Sequence, residues 1–230
     1  MAMNPTPVEL SSKAHRRQNL FRFFSPKTGR MVELESFVEF IVWLFFEFRQ
    51  DVTFLCERPG YLEHRNKGRV SRYLPDIFVR LIDGYEFLVE SKKDEDLVLV
   101  IDECRVPRRW PIIKEIVDHA GIPIELMTDR KLVEHATAVA NWRQALPYAA
   151  GEAQRPRHEL RKLVKRRFEV ESVLTIGELA ADIADWEETD VCDVAFWYVH
   201  QGALSIDWDA SDIGRHTVLR RKNDGPGEAL

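Results

Sequence analysis

The sequence predicts an α/β protein: a mixed β-sheet flanked by helices over residues 1–150, then a small winged-helix-like domain over residues 151–230. Three features carry this expectation. Short runs rich in β-branched and aromatic residues are followed by a helical stretch and a further strand, which suggests a mixed sheet with helices packed on it. Ala149-Ala150-Gly151-Glu152-Ala153-Gln154-Arg155-Pro156 is small, polar and punctuated by Gly and Pro, the composition of a linker, so a boundary is expected near 151. Beyond it, three short helices run into a terminal hairpin.

Residues 1–18 are polar with two prolines and are expected to form a loose arm. Residues 20–24 and 30–32 flank Ser25-Pro26-Lys27-Thr28-Gly29 as two strands around a turn. Ser36 and Glu39 have capping-box spacing, and residues 40–46 are apolar on every face, so 35–49 reads as a helix buried among other elements. Residues 52–56 read as a strand, and Arg65, Lys67, Arg69 and Arg72 as a basic loop. Residues 77–82 and 85–90 read as a hairpin around Asp83-Gly84. Residues 97–101 fit either a strand or the first turn of a helix, 109–120 a helix closing at Gly121, and 122–127 a strand. After the linker come a basic helix (158–167), a short one from Thr175, a third (190–200), and strands at 204–206 and 217–219. Trp186, Trp197 and Trp208 are expected in the core of that domain, and 225–230 as a disordered tail.

Composition narrows the class. With 230 residues and 45% apolar side chains the chain can bury a core, so disorder is not expected. A net charge of -5 argues against a protein that coats nucleic acid nonspecifically, while leaving room for local basic patches. Cys56, Cys104 and Cys192 stand far apart with no CxxC pair, suggesting neither a zinc site nor a disulfide framework and fitting a reducing cytoplasm. The most apolar stretch, 37–48, is interrupted by Glu39 and Glu47 and is shorter than the roughly 20 residues that cross a bilayer, so no membrane partner is expected. The first residues show no hydrophobic core followed by a small-residue cleavage site, so secretion is not expected.

Hydrolysis of a phosphodiester needs a water activated near neutral pH and neutralisation of the charge building on phosphate and leaving oxygen, and bound Mg²⁺ supplies both. Such an ion takes oxygen ligands, so a few convergent carboxylates and a lysine are the expected signature. The chain offers Pro75-Asp76, then, after an intervening hairpin, Glu90-Ser91-Lys92. Glu90 and Lys92 lie two apart on a strand and share a face. The Ser91 carbonyl between them is a further candidate ligand, and Lys92 can orient a water or stabilise phosphate charge. Taken alone, a Glu-x-Lys triplet is usually a solvated strand end; Asp76 at hairpin distance is what singles this one out.

Glu39 is the fourth candidate, because a carboxylate in an all-apolar helix is costly unless a cation compensates it. Its plainer role is the capping-box glutamate, with Glu35 one turn back as the alternative ligand. The hairpin register constrains the set further. A two-residue Asp83-Gly84 loop would leave Asp76 on the face away from Glu90. A three-residue Ile82-Asp83-Gly84 turn with left-handed Gly84 brings the two opposite each other, and is the turn expected.

Ser-x-x-Glu in an early helix, a Pro-Asp strand and a Glu-x-Lys strand, followed by helix, strand and a small carboxy-terminal domain, resemble the TnsA-type endonuclease subunits of heteromeric transposases, within the PD-(D/E)xK superfamily. The resemblance covers nearly the whole chain. It implies a restriction-endonuclease-like first domain with metal-binding acids Glu39, Asp76 and Glu90, catalytic Lys92, and Mg²⁺ with Mn²⁺ as a substitute. It also implies double-stranded transposon ends as substrate, cut on the 5′ side alongside a DDE transposase (TnsB-like), with the carboxy-terminal domain contacting an AAA+ regulator (TnsC-like). Arg65, Lys67, Arg69 and Arg72, just ahead of Asp76, are candidates for phosphate contacts or else a solvated loop. Rival readings are a stand-alone restriction or repair endonuclease using the same residues and a non-catalytic winged-helix DNA-binding protein.

Overall fold

Residues 5–9, 19–66 and 68–222 are described by a computed structural model; Lys67, most of the expected arm and the expected tail lie outside them. The chain forms two compact units. One draws on Met1–Phe23, Arg30–Glu47 and Asp51–Glu134, the other on Phe24–Gly29, Phe48–Gln50 and the chain from His135 onward. Together they are mixed α/β, and among the described residues no helix is long and apolar enough to cross a membrane.

The expected first hairpin is present as β1 (Phe21–Ser25) and β2 (Arg30–Leu34), with Gly29 at a φ of 67° in its turn. Helix α1 (Phe37–Glu47) buries Val38, Ile41, Val42, Trp43, Leu44 and Phe46. The fully buried carboxylate of this helix is Glu47, which accepts a hydrogen bond from Trp43 Nε1 at 2.8 Å, whereas Glu39 is half-buried at the helix start.

β3 (Val52–Glu57) is followed by β4 (Leu62–Asn66) and β5 (Arg69–Tyr73), then β6 (Ile77–Leu81) and β7 (Glu86–Lys92). The expected basic loop is thus corrected: Arg65 lies on β4, and Arg69 and Arg72 on β5, of an antiparallel pair whose inward side chains Leu62 and Tyr73 pack beside Ile113 and Ile116. β8 (Leu97–Ile101) is a strand paired with β9 (Cys104–Pro107), α2 spans Trp110–Ala120, and Gly121 ends it at a φ of 68°. β10 (Ile124–Thr128) and the short α3 (Asp129–Val133) complete the unit.

The central sheet has the order β10-β7-β6-β3, with β10 parallel to β7 and the other pairs antiparallel. Alternation along β7 sends Phe87 to the α1 side, where it meets Phe46 with ring centroids 5.9 Å apart. Leu88 goes to the opposite side, into a cluster with Phe78, Ile113, Ile116 and Val117. Glu90 and Lys92 share parity with Leu88 and therefore lie on the α2 face. Of the expected loose arm, residues 5–9 are described and held down: Val8 N–H donates to the Arg58 carbonyl at 2.9 Å and its carbonyl accepts from Arg58 Nε at 2.9 Å.

The second unit contains α4 (Ala136–Gln154), α5 (His158–Val170), β11 (Val173–Thr175), α6 (Ile176–Asp182), α7 (Glu188–His200), β12 (Leu204–Ser205) and β13 (Val218–Arg221). Its strands form a three-stranded sheet in the order β11-β13-β12. Thr175 and Glu178 make a reciprocal capping box at the start of α6. Trp186, Trp197 and Trp208, expected in the core, are only half-buried, and Arg161 lies 3.6 Å over the Trp197 ring.

The expected linker at 149–156 is instead helical through Gln154. Ala145 and Ala149 are fully buried, and a Cβ on Gly151 would come within 2.9 Å of Asp193 Oδ2 on α7. The small residues serve close helix packing, and the division between units falls at Glu134/His135, with Phe48–Gln50 belonging to the second unit. A fragment ending at residue 150 is therefore expected to aggregate, because it deprives Phe48 of the Trp208 ring 5.0 Å away and bares the α4 face bearing Trp142 and Leu146. A monomeric fragment with a cooperative melt in circular dichroism would contradict this.

Candidate active site

The geometry begins in the β6/β7 turn. Gly84 N–H donates to the Leu81 carbonyl at 3.0 Å, Leu81 N–H donates to the Tyr85 carbonyl at 2.9 Å, and Gly84 has a φ of 84°. This is the expected three-residue turn with its left-handed glycine, a conformation that costs little only where there is no Cβ. Ile77 pairs with Val89 and Arg80 with Glu86. One further step in that register sets Asp76 opposite Glu90, and opposed residues of an antiparallel pair share a face.

Asp76, Glu90 and Lys92 consequently converge. Lys92 Nζ lies 2.7 Å from Glu90 Oε1 and 4.0 Å from Asp76 Oδ2, and it donates to the Ser91 carbonyl at 3.0 Å. Asp76 Oδ2 accepts from Ser91 N–H at 2.7 Å. Glu90, 5% exposed, accepts at its second oxygen from the Tyr73 hydroxyl at 2.6 Å. The Ser91 side chain points to the other face, so only its backbone takes part.

Glu39 fills the capping role. Its Oε1 accepts from Ser36 Oγ at 2.9 Å, its Oε2 from Glu35 N–H at 3.1 Å, and its own N–H donates back to Ser36 Oγ at 3.1 Å. Its charge nevertheless acts on both Asp76 and Lys92, so the start of α1 stands within electrostatic reach of the strand pair.

Burial raises the pKa of Asp76 well above the usual carboxylate range, and the neighbouring Glu90 and Glu39 push it further, against Lys92 and the Ser91 N–H. Burial also raises Glu39, against the hydrogen bonds from the Glu35 N–H and the Ser36 hydroxyl, with the Glu35 charge adding to the rise and Lys92 opposing it. For Lys92, burial disfavours the ammonium, but Asp76, Glu90 and Glu39 outweigh it and hold the pKa above its ordinary value. Burial and Glu90 raise Tyr73 far enough to keep it a hydroxyl donor. The cluster thus concentrates more negative charge than one lysine balances. Among the described residues no group of three or more His, Cys, Asp or Glu side chains is gathered closely enough to hold a metal ion.

Glu90 and Lys92 open into a cleft of about 490 Å³, walled by Tyr61, Arg72, Tyr73, Arg108 and Arg109 among others. The basic candidates ahead of Asp76 do not form one patch. Arg65 and Arg72 share the exposed face of β4/β5, where Arg72 pairs with Glu63 at 2.6 Å, while Arg69 projects from the other face near the tip and Lys67 lies outside the described residues. Tyr73, Arg108 and Arg109 are the cleft residues that sequence reasoning missed. Tyr73 carries no local signal, because the apolar residues of Arg69-Val70-Ser71-Arg72-Tyr73 are three apart and fall on opposite faces of the strand. Arg108 and Arg109 precede the helix-start signal Trp110-Pro111, but nothing local ties them to Glu90.

Compared with protein-family models and with curated proteins, the chain matches none.

Proposed function

We propose that the chain is a metal-dependent DNA endonuclease of the type it resembles, the subunit of a heteromeric transposase that cuts the 5′ side of transposon ends alongside a DDE transposase and an AAA+ regulator. The observation that carries the reading is the shared face of Asp76, Glu90 and Lys92, with the charge of Glu39 reaching the same point. On this reading the β10-β7-β6-β3 sheet with its flanking helices is a restriction-endonuclease-like core, and α5 to α7 with β11 to β13 are a winged helix. A silent DNA-binding protein would have no use for a complete acid and lysine set.

The donor chemistry suits a hard dication, since it consists of oxygens only and holds more carboxylate charge than Lys92 offsets, which adds to the effect of burial on Asp76. Asp76, Glu90 and the Ser91 carbonyl are the groups that would hold Mg²⁺, which would supply an activated water and charge neutralisation at the phosphate; Glu39 could join them only by leaving its cap on Ser36, because the acids do not form a closed three-carboxylate group as they stand. The chain's own groups do the positioning. Tyr73 fixes the Glu90 carboxylate, the Ser91 N–H fixes Asp76, and Lys92 holds positive charge on the face where a phosphate approaches.

Cleavage of end-bearing DNA by the chain with its partner subunits is expected in Mg²⁺ or Mn²⁺, to stop with chelator, and to fall at least about 10³-fold in Glu90→Ala. Undiminished cutting by Glu90→Ala, or cutting in excess chelator, would overturn the reading. Site-specific double-strand cutting by the chain alone would favour the stand-alone nuclease.

A further inference from the structure

Arg108 and Arg109 are exposed and line the same cleft as Glu90 and Lys92, immediately ahead of α2. Several arginines of this unit are engaged by carboxylates, Arg72 by Glu63 at 2.6 Å, Arg80 by Glu86 at 2.7 Å and Arg105 by Asp94 at 2.9 Å, while Arg65 and Arg69 lie on the β4/β5 hairpin outside the cleft lining. Among the described residues neither Arg108 nor Arg109 has an ion-pair or hydrogen-bond partner for its guanidinium. Arg109 stands close enough to Tyr73 for its charge to act on the hydroxyl that holds Glu90. In a chain with a net charge of -5, this cleft gathers Arg72, Lys92, Arg108 and Arg109 against only Glu90 and Asp96. A positive cleft with two unengaged guanidiniums, placed beside carboxylates that would repel a polyanion, is suited to phosphates, a pair of whose oxygens a guanidinium meets with two parallel hydrogen bonds.

We propose that Arg108 and Arg109 form a phosphate-binding subsite that seats the backbone of duplex DNA against Glu90 and Lys92. The inference rests on the nuclease reading for its substrate and adds residues outside the acid and lysine set. The two guanidiniums take backbone phosphates, and their charge offsets the repulsion between the strand and the carboxylates at the cleft floor. They read no sequence, since phosphate contacts position a duplex without distinguishing its bases.

Binding of a short fluorescein-labelled duplex, followed by anisotropy in chelator from about 50 to 200 mM salt, tests this without any cleavage. Relative to the parent chain, R108Q/R109Q is expected to bind about tenfold more weakly, with a log Kd against log salt slope smaller by about two, one counterion per lost contact. R22Q/K131Q, which removes the same charge from β1 and α3, outside the cleft lining, should leave affinity within about threefold. Unchanged affinity and slope in R108Q/R109Q, an equal loss in R22Q/K131Q, or no duplex binding by the parent chain would each overturn the subsite. If R108Q/R109Q behaves as expected while the parent chain never cuts in Mg²⁺, the nuclease reading fails and the subsite stands. If binding is unchanged and Mg²⁺-dependent cutting is intact, the subsite fails and the nuclease reading stands.

Discussion

Asp76→Asn is expected to abolish cleavage and, at neutral pH, to make the folded chain more stable. The first effect follows from removing a charged ligand and should be at least about 10³-fold. The second follows from the raised pKa of Asp76, caused by burial and by the carboxylates of Glu90 and Glu39. Because the folded carboxyl holds its proton to higher pH than the unfolded one, stability falls as pH rises from the unfolded value through the folded one, and the penalty is complete above it. Asparagine removes the charge and can still accept from the Ser91 N–H. The gain should be on the order of 1 kcal/mol at pH 7, or about 2–4 °C in Tm, and should vanish below about pH 3.9, where aspartate is neutral in both states. Thermal melts across pH check this; an Asn variant less stable than the parent at pH 7, or one that still cuts, would contradict the account of the site.

Lys92→Met should also abolish cleavage, but with the opposite effect on stability. Its ammonium lies 2.7 Å from Glu90 and 4.0 Å from Asp76, and removing it leaves two neighbouring carboxylates without their cation. Breaking a buried pair costs about 3–5 kcal/mol; with Lys92 33% exposed the expected loss is nearer 1–3 kcal/mol. The folded pKa of Lys92 is raised, so its stabilisation is present in full below the unfolded value of about 10.4 and is lost as pH rises through the folded value. The deficit of the Met variant should shrink in acid, as the carboxylates that the ammonium balanced become protonated. Combining Lys92→Met with Asp76→Asn should restore part of the lost stability and none of the activity, a non-additivity expected of groups in one cluster. Strictly additive melting temperatures would show that the charges do not interact.

Much of this was legible locally. The Ser36/Glu39 cap, the Asp83-Gly84 turn, the Gly121 helix stop and the Thr175 helix start each depend on residues within a few positions of one another, and each forms as its chemistry requires. The strand parity of Glu90 and Lys92, and the turn length that brings Asp76 opposite Glu90, follow from the period of two alone. The role of Glu39 was legible only as a choice between cap and ligand, because a glutamate three residues after Ser36 suits the cap and its carboxylate equally suits a cation.

What the sequence determined, then, was the set of elements around Asp76, Glu90 and Lys92 and the face those side chains share, since turn chemistry and β alternation are short-range. Tertiary structure decided the rest. Residues 149–154 have linker composition, yet Ala149 and Gly151 form part of a helix packed against α7, because small side chains suit both a flexible joint and a close helix contact. Tyr73 holds Glu90 from 17 positions away, and Arg108 and Arg109 reach the cleft only because α2 packs on the Leu88 face of the sheet. Such contacts depend on which faces bury together, a property of the folded chain that no local spacing records.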